Sequence, residues 1–375
     1  FDSFGAPSVY SGLSYFLLYW VAISMSKTII IIGAGLAGLS AALQAAENGC
    51  NVKLVSSFPS ERAQSVMAEG GINAALNTKD ENDSPEEHFT DTIKAACGLA
   101  DPNAVWGMTQ AAPELVHWLL KLGVKFNMSG YDDVDLRNFG GQKKKRTAFA
   151  QSDTGKQIMT AMIDAVRRKE ASGMVERFSH HSFLTLRLCG NICCGCVIRD
   201  EYSQETVELP GDAVIVATGG MHGLFGNTTG SLSNTGEVTA ELFRLGVSLA
   251  NSEMIQYHPT TVKCGGKRML ISEAARGEGG RLFAMKDGKQ WYFMEEKYPE
   301  LGNLMPRDIT AREIWKVSHE SEVFLDMTEI SDEIISNKLS GLADDCMTYL
   351  HKDIRKEPVS VLPGIHYFMG GIMVD

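Results

Sequence analysis

The stretch from Lys27 to Ser57, KTIIIIGAGLAGLSAALQAAENGCNVKLVSS, constrains this chain more than any other. A β-branched run, a glycine turn, an alanine-rich helical pattern and a second apolar run follow one another within about thirty residues. A dinucleotide-gripping βαβ unit has this order. Gly33 allows the tight turn, Gly35 lets the backbone approach a pyrophosphate, and Gly38 lets the helix pack on the strand. With Ala34, Leu36 and Ala37 they open a helix whose N–H groups and positive dipole end suit a phosphate. The second strand ends in Ser56-Ser57 where an acid usually bonds the adenosine ribose. A serine hydroxyl can still make that bond without charge assistance, which weakens a nicotinamide reading.

The sequence after this unit predicts helices at 86–96, 103–122, 154–168 and 236–245. It predicts two strands around Gly190-Asn191 within 184–199, and a buried strand at 213–217 leading into Thr218-Gly219-Gly220. Beyond about residue 252 short strands and helices alternate, as expected of a second domain inserted into the first. With 375 residues, 44% of them hydrophobic and 22% charged, the chain can bury a substantial core. Its net charge of -11 argues against a nucleic-acid partner, because such binding rests on many cationic contacts with phosphate. Lys143 to Arg146 is the one dense basic run, and it reads as a solvated loop.

Eight cysteines in a chain of this length read as reduced thiols of a cytoplasmic protein rather than a disulfide framework. Cys189, Cys193, Cys194 and Cys196 lack the paired spacing of a zinc ribbon and read as strand residues, so no metal site is expected. Residues 1–24 carry a single charge, too short an uncharged stretch to span a bilayer and no basic leader. They read as an unassigned leader, with Met25 as the natural start.

The motifs RAQSVMAEGGINAAL, RNFGG, DTG, ATGG, QYHPT, SEAARGEGG, PRD and HYFMGGI occur in order along the chain. From Lys27 to Asp375 it therefore resembles the flavoprotein subunits of succinate dehydrogenase and fumarate reductase, and the related L-aspartate oxidase. The resemblance implies an α/β fold: a Rossmann-like FAD-binding domain (25–251 and 360–375) with an inserted α+β capping domain (252–359). It implies FAD bound by the glycine turn, Ser56, Ser57, Arg62, Gln64, Ser65, Gly70, Gly71, Ala217, Thr218, Gly219 and Glu237.

The same resemblance implies that His258, Thr260, Glu273 and His366 hold a small dicarboxylate, with imidazolium and hydroxyl donors on its carboxylates. Arg307 matches the family's proton donor, and Glu273 and Arg276 its relay; a structural ion-pair network is the alternative for these three. The implied reaction is reduction of the fumarate C=C bond, or oxidation of succinate, by hydride transfer at flavin N5. Arginine is a poor acid in water, its pKa exceeding about 12, so this role needs a site closed to water with Glu273 to return the proton.

Where the family carries a histidine joined covalently to flavin, this chain has Arg62-Ala63-Gln64. An amide cannot form that link, so the FAD is expected to be non-covalent. Thr235-Gly236-Glu237-Val238 replaces the family's TGDG. The family also continues past MGGI into a segment bearing another substrate arginine, so this chain resembles a C-terminally truncated member with weakened FAD retention and little turnover. L-aspartate oxidase and a catalytically incomplete flavin-binding piece are the alternative readings. An iron–sulfur subunit is the implied partner, with a cytoplasmic location that is peripheral on the inner face of the membrane.

Overall fold

The computed structural model describes residues 26–130, 133–138, 142–151 and 153–374. The expectations for residues 1–24 and Met25, and Phe139 to Gly141 of the RNFGG motif, lie outside them. By packing the chain divides into two units, residues 1–59 with 165–218 and residues 60–164 with 219–375. These limits differ from the 251/252 and 359/360 division because residues 60–164 pack with the C-terminal half.

The first unit is built on the predicted βαβ element. β1 (Thr28–Ile32), α1 (Leu36–Glu47) and β2 (Asn51–Ser56) are joined by β3 (Val175–Ser179). β4 (His181–Cys189), β5 (Ile192–Asp200), β6 (Thr206–Pro210) and β7 (Ala213–Val216) complete the unit. One sheet is parallel in the order β7-β1-β2-β3, and β4-β5-β6 form an antiparallel sheet. The β-branched side chains of β1 suit a strand paired on both sides, and Ile30 and Ile31 are fully buried. Left-handed Gly49 (φ 77°) ends α1, its N–H reaching Ala46 O at 3.0 Å. This is the expected Rossmann-like α/β class.

The hairpin β4–β5 falls where the sequence predicts it, yet the reading of its cysteines as free thiols is corrected. Cys189 and Cys194 form a disulfide, with Cα atoms 6.1 Å apart. The hairpin folds two residues five apart in sequence back to within bridging distance, a closeness that composition alone does not show.

The second unit carries α2 (Pro85–Ala95), α3 (Pro102–Leu122) and α5 (Glu237–Arg244), while α4 (Thr154–Ala171) is the helix predicted at 154–168. Ser84 and Asp101 cap α2 and α3, each followed by proline at the first helical position. β8 (Ile255–Cys264) is the central strand of an antiparallel sheet, between β9 (Lys267–Leu270) and β12 (Leu362–Phe368). α6 (Glu273–Gly277), β10 (Arg281–Lys286), α7 (Arg307–Val317) and β11 (Val323–Asp326) surround a core that includes Leu282, Phe293, Ile314 and Leu325, all fully buried.

The solvated-loop reading of the basic run also needs correcting. Arg146 is 2% exposed and bonds Asp83 through Nε (3.1 Å) and Nη2 (2.8 Å), with Asp91 3.0 Å from Nη2. Lys144 pairs with Glu87, and the Lys145 N–H donates to Glu81. The acidic partners lie about sixty residues upstream, so the run becomes the cationic half of a network. Burial raises the Asp83 pKa and the adjacent guanidinium opposes it.

Candidate functional site

In the first unit the glycine turn is shaped by contact with the strand end beside it. Gly33 has φ 109°, and a Cβ there would lie 2.3 Å from Ala217 O; one on Gly38 would lie 1.8 Å from Gly33 O. Gly33 N–H donates to Val55 O (2.8 Å) and Ala217 N–H to Ile32 O (2.8 Å), which fixes the turn between the ends of β2 and β7. Gly35 is the N-cap and offers no side chain to the first turn, so anion recognition falls to the backbone. At the end of β2 the buried Ser56 hydroxyl has no hydrogen-bond partner among the described residues, while Ser57 Oγ approaches His181 O at 3.4 Å. A backbone cradle that side chains would fill, beside an orphan hydroxyl on the next strand, fits a dinucleotide and its ribose.

The remaining cofactor residues fall in the second unit, Thr218 excepted, which closes the first. Arg62 and Gln64 lie in short helical turns, Ser60–Arg62 and Gln64–Met67, with Arg62 exposed. Gly71 has φ 135°, and a Cβ there would meet Ala148 O at 2.4 Å. Gly155 packs equally tightly, a Cβ falling 2.2 Å from Ser65 O. Arg137 reaches under this segment, donating to the carbonyls of Glu69 (3.0 Å) and Gly70 while its guanidinium stacks 4.3 Å from the Phe149 ring. Gly219 is left-handed at φ 73°, and Glu237 is exposed in the first turn of α5.

The predicted catalytic residues converge within the second unit. Pro259 would be excluded from a regular central strand because it lacks an N–H, and the β8–β12 register slips between His258 and Thr261. That break accommodates the proline and buries His258, which is 1% exposed. On β12, His366 lies with its ring centroid 5.1 Å from that of His258.

Arg307 opens α7 and donates from Nε to Glu273 Oε2 (2.8 Å) and from Nη1 to Gln256 Oε1 (2.9 Å). Glu273 Oε1 lies 3.2 Å from Arg276 Nη2, one turn on, and Arg276 Nη1 donates to Asn303 O at 2.6 Å. Glu273 and Arg276 are 4% and 2% exposed. The three form an ion-pair chain that is closed at the Arg276 end and part-open at Arg307, whose side chain is 24% exposed. That geometry belongs to a salt-bridge network and also gives a proton path from Arg307 to Glu273 to Arg276.

Two details differ from expectation. The Thr260 hydroxyl donates to Ile271 O (2.8 Å), because Thr260 is fully buried and its proton needs a nearby acceptor. Its side chain therefore supports the strand rather than presenting a donor. The histidines are neutral rather than imidazolium. Burial, then the Arg307 cation, then His366 and Arg276, push His258 well below its ordinary value; burial, Arg307 and His222 take His366 down to about 3. His258 Nε2 is buried with no hydrogen-bond partner among the described residues.

Sequence reasoning missed Thr229, whose Oγ1 lies 2.7 Å from His366 Nδ1, and His222, whose Nε2 lies 2.8 Å from His366 O. It also gave no role to Gln256, which opens the QYHPT motif, or to Asn303. Among the described residues no cluster of histidines, cysteines and carboxylates could hold a metal ion. No described helix is long and apolar enough to cross a membrane.

Comparison with known proteins agrees with this geometry. A family described as FAD binding domain matches residues 28–375. The succinate dehydrogenase flavoprotein subunit of Bacillus subtilis is 43% identical over 358 residues, which are 93% of this chain and 61% of that protein. L-aspartate oxidase of a Nostoc species is 33% identical over 92% of this chain and 59% of its own length. Among solved structures, Escherichia coli quinol fumarate reductase FrdA superposes with a TM-score of 0.84 at 28% identity, covering 93% of this chain and 61% of that one. The chain thus spans about three-fifths of the length of these relatives.

Proposed function

Because this chain belongs to the FAD-binding domain family, with FAD as its cofactor, we propose that it is the FAD-bearing part of a fumarate reductase or succinate dehydrogenase type flavoprotein. The observation that carries this reading is the grouping of buried His258 and half-buried His366 with the Arg307–Glu273–Arg276 chain. A dianion needs donors and positive charge, and a proton destined for carbon needs a relay shielded from water.

In the first unit the Gly33–Gly38 turn and Ser56 would hold the pyrophosphate and ribose of FAD, which when bound supplies hydride-level, two-electron exchange with a substrate carbon. No histidine stands at Gln64, so FAD would be held non-covalently. His258 and His366 offer neutral N–H donors to the carboxylates, and Arg307 contributes the cation. In the reductive direction Arg307 would give a proton from its guanidinium to the α-carbon. It would be reprotonated from Glu273 at Oε2, and Glu273 from Arg276 through Oε1. In the oxidative direction each proton runs the other way. The relatives are named as flavoprotein subunits, which supports assembly with an iron–sulfur subunit at the inner membrane face.

The test is fumarate reduction by the FAD-loaded chain with a reduced viologen dye, beside calorimetric titration of fumarate and malonate. The expected result is dicarboxylate binding that Arg307→Gln weakens, and turnover that Arg307→Gln and Arg307→Lys abolish with FAD retained. Reduction at near wild-type rate in either variant would refute the role of Arg307. Hydrogen peroxide produced from L-aspartate and oxygen would move the reading to L-aspartate oxidase, which the 33% identical relative keeps in view.

A further inference from the structure

We propose that the Thr229 hydroxyl donates its proton to Nδ1 of His366 and so holds that ring with its proton on Nε2, the nitrogen left for a substrate carboxylate. Thr229 is then a positioning residue of the dicarboxylate site. The ligand's identity rests on the function proposed above; the tautomer does not.

The oxygen and nitrogen are 2.7 Å apart, and the direction of the bond follows from the surroundings. Thr229 is 8% exposed, and His366 Nδ1 is the one hydrogen-bond partner of its hydroxyl among the described residues. If the hydroxyl accepted from Nδ1–H, its own proton would be buried with no acceptor. Leaving a buried donor unmade costs more than a neutral hydrogen bond gains. Donation to Nδ1 satisfies both groups.

The main chain holds the pair in place. Thr229 N–H donates to Ile365 O (3.0 Å), Ile365 N–H donates to Asn227 O (2.9 Å), and the His222 ring anchors the carbonyl of His366. His258 differs: its Nδ1 lies 3.2 Å from Thr260 N–H and 3.1 Å from Thr260 O, a donor and an acceptor together, so its tautomer is not fixed in this way. At His366 the Thr229 hydroxyl is the one group set against Nδ1, which selects the Nε2 proton there. The opposite tautomer would turn a lone pair toward a carboxylate and repel it.

The tautomer can be read in the chain without turnover. In long-range 1H–15N spectra of the histidine-labelled full chain, with His366→Gln for assignment, wild type should show Nδ1 of His366 unprotonated and Nε2 protonated. Thr229→Ser should keep that signature, and Thr229→Val should move both nitrogens toward tautomer-averaged values. In titrations with malonate, Thr229→Val should weaken the Kd about three- to tenfold, the worth of one neutral hydrogen bond, while Thr229→Ser stays within about twofold.

Protonated Nδ1 in wild type, or a Thr229→Val spectrum and affinity matching wild type, would overturn the proposal. A wild-type chain with the expected tautomer that binds neither malonate nor fumarate would refute the dicarboxylate reading while supporting the assignment of Thr229.

Discussion

Glu69, in the segment that Arg137 braces, offers a test that needs neither cofactor nor substrate. Burial first, and then the charge of Asp345, raise its pKa from 4.5 to about 8; the Ser272 hydroxyl and Arg137 pull the other way. One carboxyl oxygen is wholly shielded and has no hydrogen-bond partner among the described residues. The folded chain therefore prefers Glu69 protonated, while the unfolded chain releases that proton near pH 4.5. The associated stability is fully present below about pH 4.5 and is lost as pH rises to about 8.

At about 1.4 kcal/mol per pH unit this amounts to roughly 5 kcal/mol at most, and about 2–3 kcal/mol once partial water access around the half-buried side chain is allowed. Glu69→Gln keeps the neutral shape at every pH. Thermal unfolding of both proteins at pH 5, 6.5 and 8 should show nearly equal midpoints at pH 5 and an advantage for the variant that grows to several degrees at pH 8. Parallel curves, or a wild type gaining on the variant as pH rises, would refute the argument.

Other outcomes follow from the same contacts. Gly33→Ala should abolish FAD retention, checked by the flavin absorbance of purified protein, because the added carbon meets Ala217 O at 2.3 Å in a left-handed backbone. Asp83→Ala should cost about 2–4 kcal/mol in urea unfolding by leaving the buried Arg146 cation with only the part-exposed Asp91 as its carboxylate, whereas Asp83→Ala with Arg146→Met should recover part of that loss. Acid precipitation of the FAD-loaded chain should give a colourless pellet and a yellow supernatant; a yellow pellet would show a covalent link.

What could be read in advance was local. The β-branched run of β1, the glycine spacing and the proline-opened helices each carry their cause within a few residues, and those elements stand where expected. His258, Glu273, Arg276, Arg307 and His366 are likewise marked one by one by their motifs, whereas the contacts among them come from the fold. Arg146 looked solvated because its partner Asp83 is 63 residues away and only the fold brings them together. Thr229 carried no signal, since a threonine beside another threonine reads as turn or strand until His366, 137 residues later, is placed against it. The histidine charge was misjudged for a related reason: burial and the Arg307 cation exist only in three dimensions.

The break in β8 around Pro259 has an evolutionary side. In an unbroken ladder, gaining or losing one residue would invert every side chain beyond it and turn the buried face outward. Here pairing already slips between His258 and Thr261, so a change of length at that spot can be absorbed locally while β12 and β9 keep their faces. Selection could then shift the imidazole of His258 relative to Arg307 by small steps without rebuilding the sheet that carries it.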